Sequence, residues 1–334
     1  MKRFHSLAEL APEATRDLLA LAARLERASE PRALAGRQLG LLFLDPSLRT
    51  LASMQAAMAR LGGTSVVLSP GRGSWPLEHR AGAVMDGAAA EHVREALPVL
   101  GGYFDALGIR AFARGADLAA DLADADFAAM TALAGVPTIN LESALDHPCQ
   151  ALADWKTLDD LGIPTHGKLV LSWASHPKAL PLAVPAAVLH MAAARGMEVV
   201  VLRPDAYALP EPVLARARTA AARTGGRVTE TANRREAMEG AHSLYGKSWS
   251  SPLHYGDPET EKENRKRLRD WTIDLDWFDG AAAAARFLHC LPVRRNVEAT
   301  DAVLDSPRSS VVRQAHNRLW AQMAVLHRLL GGER

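Results

Sequence analysis

Cysteine is nearly absent: Cys149 and Cys290 are the only two in 334 residues. A disulfide framework is excluded as the basis of the fold, and a reducing compartment fits. An excess of one charge sign is missing too. Lys and Arg number 39 against 38 Asp and Glu, for a net charge of +1, so no global field favours nucleic acid or an anionic membrane. No run of about 20 uncharged apolar residues occurs, which argues against a helical membrane span. The alanine run 281–285 is short and Arg286 follows it. The first residues, Met1-Lys2-Arg3-Phe4-His5-Ser6, lead into a helical pattern and not an apolar signal core, so a cytoplasmic protein is expected. There is no short internal repeat and no low-complexity linker. No Gly-x-Gly-x-x-Gly follows a strand-like run, which removes the main warrant for a nucleotide-binding dehydrogenase.

What is present is a globular composition, 48% hydrophobic and 23% charged. The length suits two domains of about 150 residues each. Strand-like apolar runs lie at 39–44, 65–68, 108–112, 138–141, 169–173, 199–202, 243–245 and 287–291. Amphipathic stretches such as 48–61, 92–107, 182–195 and 212–224 lie between them. Such alternation indicates βαβ units around a buried parallel sheet. The pattern runs twice, ending near residue 145 and resuming near 168, with a helix-like segment at 147–161 between. The expectation is an α/β fold of two doubly wound parallel-sheet domains joined by long helices. Their bounds are 1–146 and 147–308, with a last helix, 309–332, packing back on the first domain. Ligands in such sheets bind beyond the strand C-termini.

The run Leu41-Leu42-Phe43-Leu44 leads into Asp45-Pro46-Ser47-Leu48-Arg49-Thr50 and then a helix pattern. Free backbone N–H groups and the helix dipole favour an anion there. Ser47 and Thr50 add hydroxyls, and Arg49 adds a fork suited to phosphate. Taken alone, these residues fit a simple helix cap better than a ligand site.

Further elements follow in a fixed order: Gly108-Ile109-Arg110, then His147-Pro148-Cys149-Gln150, then His289-Cys290-Leu291-Pro292. With the Ser47–Thr50 turn, this ordered set resembles the aspartate/ornithine carbamoyltransferase family over essentially the whole chain. The resemblance implies carbamoyl phosphate held mainly by the first domain. It also implies a homotrimer with active sites shared between neighbouring subunits, and neither metal nor organic cofactor. Small molecules are the expected partners, with no nucleic acid and no membrane.

His-Cys-Leu-Pro resembles the ornithine branch. The Ser-Met-Gly loop of ordinary ornithine carbamoyltransferases is missing; the comparable stretch reads Tyr245-Gly246-Lys247-Ser248-Trp249. That text is similar to the N-acylornithine branch, whose substrates have a blocked α-amine. So are Ser74-Trp75-Pro76, Met85-Asp86-Gly87, the stretch from Trp173 to Lys178, and Pro292-Val293-Arg294-Arg295-Asn296. The N-acetyl type carries a glutamate in the segment equivalent to 88–92, and the N-succinyl type a proline. Here Ala90 stands there, which removes the repulsion a glutamate would exert on a succinyl carboxylate. Glu142 five residues before His147, the stretch 96–99 and Pro181 also lean to the succinyl side.

The resemblance thus implies carbamoyl transfer to the δ-amine of N-succinyl-L-ornithine, giving N-succinyl-L-citrulline and phosphate in arginine biosynthesis. N-acetylornithine, ordinary ornithine and a non-catalytic paralogue stand as alternatives. The implied carbamoyl phosphate ligands are Ser47, Leu48 through its backbone N–H, Arg49, Thr50, Trp75 from a neighbouring subunit, Arg110, His147 and Gln150. Arg49, Thr50, Arg110 and His147 carry the catalytic expectation. For the acylornithine the set is Ala90, Glu142, His176, Lys247, Cys290, Leu291 and Arg294. Isolated Lys, Arg and Cys side chains are more often surface charges or packing. The ordered motifs outweigh that for Arg49, Arg110 and His147, but not for Lys247 and Glu142. Glu78, Glu91 and His92 read as surface residues, 259–269 as a solvated helix, and Glu298 as a residue without a role. Family members carry an Arg where Leu51 stands, a loss worth about 1 kcal/mol or more of phosphate binding.

Overall fold

The computed structural model describes residues 1–28, 30–80 and 82–331. The chain divides into two compact units. The first comprises Met1–Ala113, Ala120–Cys149 and the end of the last helix from Arg318; the second comprises Arg114–Ala119 and Gln150–Asn317. Each is built on a five-stranded, wholly parallel sheet. The α/β fold expected from the alternating pattern is therefore observed.

In the first unit the strands are β1 (Arg3–Phe4), β2 (Gln38–Phe43), β3 (Thr64–Leu68), β6 (Ala106–Arg110) and β7 (Thr138–Glu142). A separate two-residue pair, β4 (Leu77–Glu78) and β5 (Glu91–His92), lies between β3 and β6 in the chain. The sheet order is β1-β7-β6-β2-β3. From β2 the chain moves outward to β3, then returns to build β6 and β7 on the other side. The order therefore reverses between β2 and β6, and such reversals open a crevice at the strand C-termini. Leu42, Leu107 and Ile109 on the strands pack with Val93, Leu97, Phe127 and Met130 on the helices.

The second unit holds β8 (Lys168–Trp173), β9 (Glu198–Leu202), β10 (Arg227–Thr231), β11 (Ser243–Lys247) and β12 (Arg286–Leu288), in the order β10-β9-β8-β11-β12. Its reversal falls between β8 and β11. The helix Ala183–Arg195 is buried along nearly its whole length, as its alanine-rich sequence permits, and it stops at Gly196 with φ 94°, a left-handed cap. Val170, Leu244, Phe287, Ile273 and Trp277 form one continuous core.

Three expected strands end early, at Phe43, Arg110 and Leu288. Beyond Leu288 the backbone leaves the ladder, and His289 N–H donates instead to Gln314 Oε1 at 2.8 Å. The strands β1 and β10 were not foreseen: β10 is an edge strand with a single apolar residue, Arg-Val-Thr-Glu-Thr, and β1 is two residues long. The last helix runs Val311–Leu330; Gly332, where it was expected to end, lies outside the described residues. Glu78 is buried, not a surface residue, because its carboxylate takes four hydrogen bonds from the Arg80 side chain and the His79 and Arg80 backbone. The charged run 259–269 is likewise not wholly solvated, since Glu261 and Arg265 are buried. Among the described residues no helix is long and apolar enough to cross a membrane.

Gly101 tests the packing of the first unit. It lies in the helix Val93–Tyr103, and a Cβ there would fall onto the carbonyl oxygen of Ala134. Backbone cannot yield as a side chain does, so Gly101→Ala is expected to cost about 3 kcal/mol. Equilibrium urea unfolding measures this; an unchanged midpoint contradicts the packing described.

Candidate functional site

In the first unit, Ser47 caps the helix Leu48–Arg60: its Oγ accepts from Thr50 N–H at 3.3 Å and donates to Thr50 Oγ1 at 3.0 Å. Asp45 Oδ2 accepts from Phe112 N–H at 2.8 Å. That bond ties the turn after β2 to the segment after β6, on either side of the strand reversal. Leu48 is exposed, Arg49 half-buried and Thr50 fully buried. The helix start thus presents backbone donors beside a guanidinium, which suits a dianionic phosphate.

Arg110 ends β6 and is buried. Its Nη1 donates to Glu142 Oε2 at 2.6 Å and to the Leu141 carbonyl at 3.1 Å, and its guanidinium lies 4.4 Å from the Phe112 ring centroid. His147 Nε2 stands 3.5 Å from the same Glu142 oxygen. Glu142 has φ 136°, a rare conformation for a residue with a side chain. It is held by Ala111 N–H on its carbonyl and Asn140 Oδ1 on its N–H. The structure therefore brings Ser47, Arg49, Thr50, Arg110 and His147 into one unit. It puts Glu142 with Arg110 and His147, whereas the sequence grouped it with Lys247 and Arg294. Trp75 is 56% exposed on the 71–76 loop, and its indole N–H donates to Glu91 at 2.8 Å. Ala90 is exposed one residue before.

Arg318, overlooked in the sequence, belongs here. It is buried on the last helix and donates from Nη2 to Thr50 Oγ1 at 2.8 Å. Burial holds its pKa below the usual guanidinium value, as do the like charges of Arg110 and Arg49. A cation inside the buried stripe of an amphipathic helix was the available signal. Cys149 is a packing thiol: burial pushes its pKa up to about 12.

Gln150, in the helix Pro148–Asp160, belongs to the second unit. Four residues on, the fully buried Asp154 receives three donors: Gln150 Nε2 and Gln314 Nε2, each at 2.7 Å, and Tyr245 O–H at 3.1 Å. A carboxylate only accepts, so it fixes the Gln150 amide with nitrogen inward. Gln150 Oε1 is left buried without a hydrogen-bond partner, an acceptor ready for an N–H. Burial, with the Asp154 charge, raises the Tyr245 pKa well above its usual value. Gln314 in turn accepts from His289 N–H. Asp154 thereby organises Gln150, β11 and the residues after β12.

The remaining groups lie past the C-terminal ends of β8, β11 and β12. Lys247 ends β11 and is half-buried; Arg294 is exposed and Cys290 buried. Leu291 has φ 56°, and its N–H donates to His289 Nδ1 at 2.9 Å. That leaves His289 Nε2 to donate to Glu298 Oε1 at 3.3 Å. Glu298 Oε2 accepts from Arg294 N–H at 2.8 Å. Burial opposes the Glu298 charge, but the His289 bond and nearby cations prevail and hold its pKa at about 2. Glu298 thus has a role the sequence reading denied it, bracing the 289–298 loop. Arg294 Nε donates to His176 Nε2 at 3.0 Å, and His176 Nδ1 faces the Lys178 backbone, 2.9 Å from its carbonyl oxygen and 3.0 Å from its nitrogen. Burial lowers the His176 pKa, in keeping with a neutral ring. Among the described residues no group of three or more His, Cys, Asp or Glu side chains could hold a metal ion.

The carbamoyl-P binding domain of the aspartate/ornithine carbamoyltransferases matches residues 2–160, and their Asp/Orn binding domain matches residues 184–329. The chain is 38% identical to an N-acetylornithine carbamoyltransferase of Xanthomonas campestris pv. campestris, over 95% of this chain and 94% of the relative. It is 34% identical to an N-succinylornithine carbamoyltransferase of Bacteroides thetaiotaomicron, over 89% of this chain and 88% of the relative. A solved glutamate-to-alanine mutant of N-acetyl-L-ornithine transcarbamylase, complexed with carbamyl phosphate and N-succinyl-L-norvaline, superposes with a TM-score of 0.94. It shares 37% identity and covers 98% of this chain and 100% of its own.

With Gln150 as the carbamoyl phosphate ligand that the resemblance implies, Asp154→Asn is expected to free its amide to turn and to raise the KM for carbamoyl phosphate at least about tenfold, as loss of a charge-assisted bond implies. Steady-state kinetics read this; an unchanged KM contradicts the orienting role. For Glu298 the folded pKa lies below the ordinary 4.5, so its stabilisation is complete above pH 4.5 and is lost as pH falls toward 2. Glu298→Gln is therefore expected to lose about 3 kcal/mol at neutral pH, with the gap to the wild type closing on acidification. A gap independent of pH contradicts it.

Proposed function

The chain belongs to the aspartate/ornithine carbamoyltransferase family and is a carbamoyltransferase, and from that premise we propose that its acceptor is the δ-amine of N-succinyl-L-ornithine. The observation that carries this reading is Ala90. It is exposed beside Glu91, in the segment where the resemblance puts a glutamate in the N-acetyl type. A mutant of an N-acetyl-L-ornithine transcarbamylase with one glutamate changed to alanine has been solved with N-succinyl-L-norvaline, which supports an alanine being compatible with a succinyl group. Overall identity does not discriminate, since relatives of both kinds fall between 34% and 38%.

In the proposed reaction the neutral δ-amine attacks the carbamoyl carbon. A carbon–nitrogen bond forms, the tetrahedral oxyanion collapses, and the carbon–oxygen bond to phosphate breaks. The amine proton leaves with phosphate. The protein's work is positioning and charge stabilisation. The first unit is proposed to hold carbamoyl phosphate: Ser47, the Leu48 N–H, Arg49 and Thr50 at the phosphate, with Arg110 and His147 at the carbonyl oxygen. Gln150 Oε1 accepts from the carbamoyl NH2. Glu142 orients Arg110 and His147 and takes the single N–H of the acylated α-nitrogen. In the second unit Lys247 and Arg294 meet carboxylate, His176 fixes Arg294, the Leu291 carbonyl receives the δ-amine, and Cys290 packs beneath it. Trp75, exposed on its loop, completes a neighbouring subunit's site in a proposed homotrimer. The product, N-succinyl-L-citrulline, serves arginine biosynthesis in the cytoplasm.

With purified protein and saturating carbamoyl phosphate, kcat/KM for N-succinylornithine is expected to exceed that for N-acetylornithine by about tenfold or more. A carboxylate pair at contact is repelled by about 1 to 4 kcal/mol, so Ala90→Glu is expected to reverse the preference. Far slower turnover of succinylornithine than of acetylornithine by the wild type overturns the reading.

A further inference from the structure

The helix Pro258–Lys266 carries nine residues, most of them charged or polar. Most of its ion pairs are exposed: Lys262 with Glu259 and Lys266 with Glu263. Such pairs stabilise little. Arg265 differs. Its side chain is almost wholly buried and sits between elements far apart in the chain. Nε donates to Glu261 Oε1 at 2.7 Å. Nη1 donates to the His176 carbonyl at 3.2 Å and to Ser248 Oγ at 2.8 Å. Nη2 donates to the Trp249 carbonyl at 2.6 Å. The guanidinium carbon lies 5.4 Å from the ring centroids of both Trp173 and Tyr207.

We infer that Arg265 is a positioning residue for the acylornithine: it locks together the segment after β8 and the segment after β11. His176 is the residue on which Arg294 rests, and Ser248 directly follows Lys247. One planar fork therefore fixes the backbone that carries two of the proposed carboxylate-binding cations. Arg265 touches no reacting atom. A buried guanidinium persists only when its donors are satisfied. Here Glu261 on the same helix takes Nε, and the two loops take the donors of Nη1 and Nη2, so the fork is fully paired only while the loops hold this arrangement. Lysine cannot reproduce the fork, because an ammonium lacks the planar set of five donors. This inference rests on the proposed second-substrate role of His176, Lys247 and Arg294.

The test compares wild type, Arg265→Lys and Ser248→Ala, each assayed for the KM of N-succinylornithine and of N-acetylornithine, the KM of carbamoyl phosphate, and thermal stability. Ser248→Ala removes one of the fork's partners while leaving the Arg265–Glu261 pair, so it reports even where Arg265→Lys fails to fold. The expected result is an acylornithine KM raised about tenfold or more in Arg265→Lys and about threefold in Ser248→Ala, as one lost hydrogen bond implies. The carbamoyl phosphate KM stays within about twofold, and Ser248→Ala melts near the wild type. Equal rises in both KM values, or no rise in Ser248→Ala, overturn the positioning role. A wild type inactive with both acylornithines overturns the proposed function instead.

Discussion

Parallel pairing is the constraint on which the rest of this molecule depends. In a parallel sheet every strand C-terminus leaves from the same edge, and each is followed by a turn and a helix N-terminus with free N–H groups. Where the strand order reverses, neighbouring turns diverge and open a crevice. In the first sheet the reversal lies between β2 and β6, which are followed by the Ser47–Thr50 turn and ended by Arg110. In the second it lies between β8 and β11, which lead to His176 and Lys247. The chemistry sits where the topology leaves room for it.

Topology supplies room but not precision. Precision comes from buried charges, each satisfied by protein atoms instead of by solvent. Asp154 holds one amide orientation at Gln150. Glu142 grips Arg110 and His147 from a strained backbone, and Glu298 braces the 289–298 loop. Arg318 reaches the hydroxyl of Thr50, and Arg265 knits two loops. A buried ion pair is weak evidence of stability but good evidence of a specified arrangement. Here each such charge lies beside a residue proposed to meet substrate.

The strands and the four motifs were legible because each leaves a local trace: an apolar run, a cap, a short ordered string. The edge strand Arg227–Thr231 was not, since four of its five residues are polar and it resembles a loop. The bracing charges were illegible for a different reason. A charged residue such as Glu298 or Arg265 is exposed far more often than buried, and only its partners in space distinguish the two. Glu261 and Arg265 occupy a helix whose neighbouring charges are solvated, so composition hides them. Asp154 and Arg318 had local traces: one falls four residues after Gln150 on one helix face, the other inside the buried stripe of the last helix. Glu142 could be seen to matter, but its bond to Arg110 required the β6–β7 pairing.

Carbamoyl transfer to an ornithine whose α-amine is blocked is met most directly by measuring phosphate release from carbamoyl phosphate with N-succinylornithine, N-acetylornithine or unmodified ornithine as the only amine. Release is expected with an acylated amine, accompanied by ureido product, and little with ornithine. Release as fast with ornithine as with either acylated form, or no release with any of the three, contradicts it.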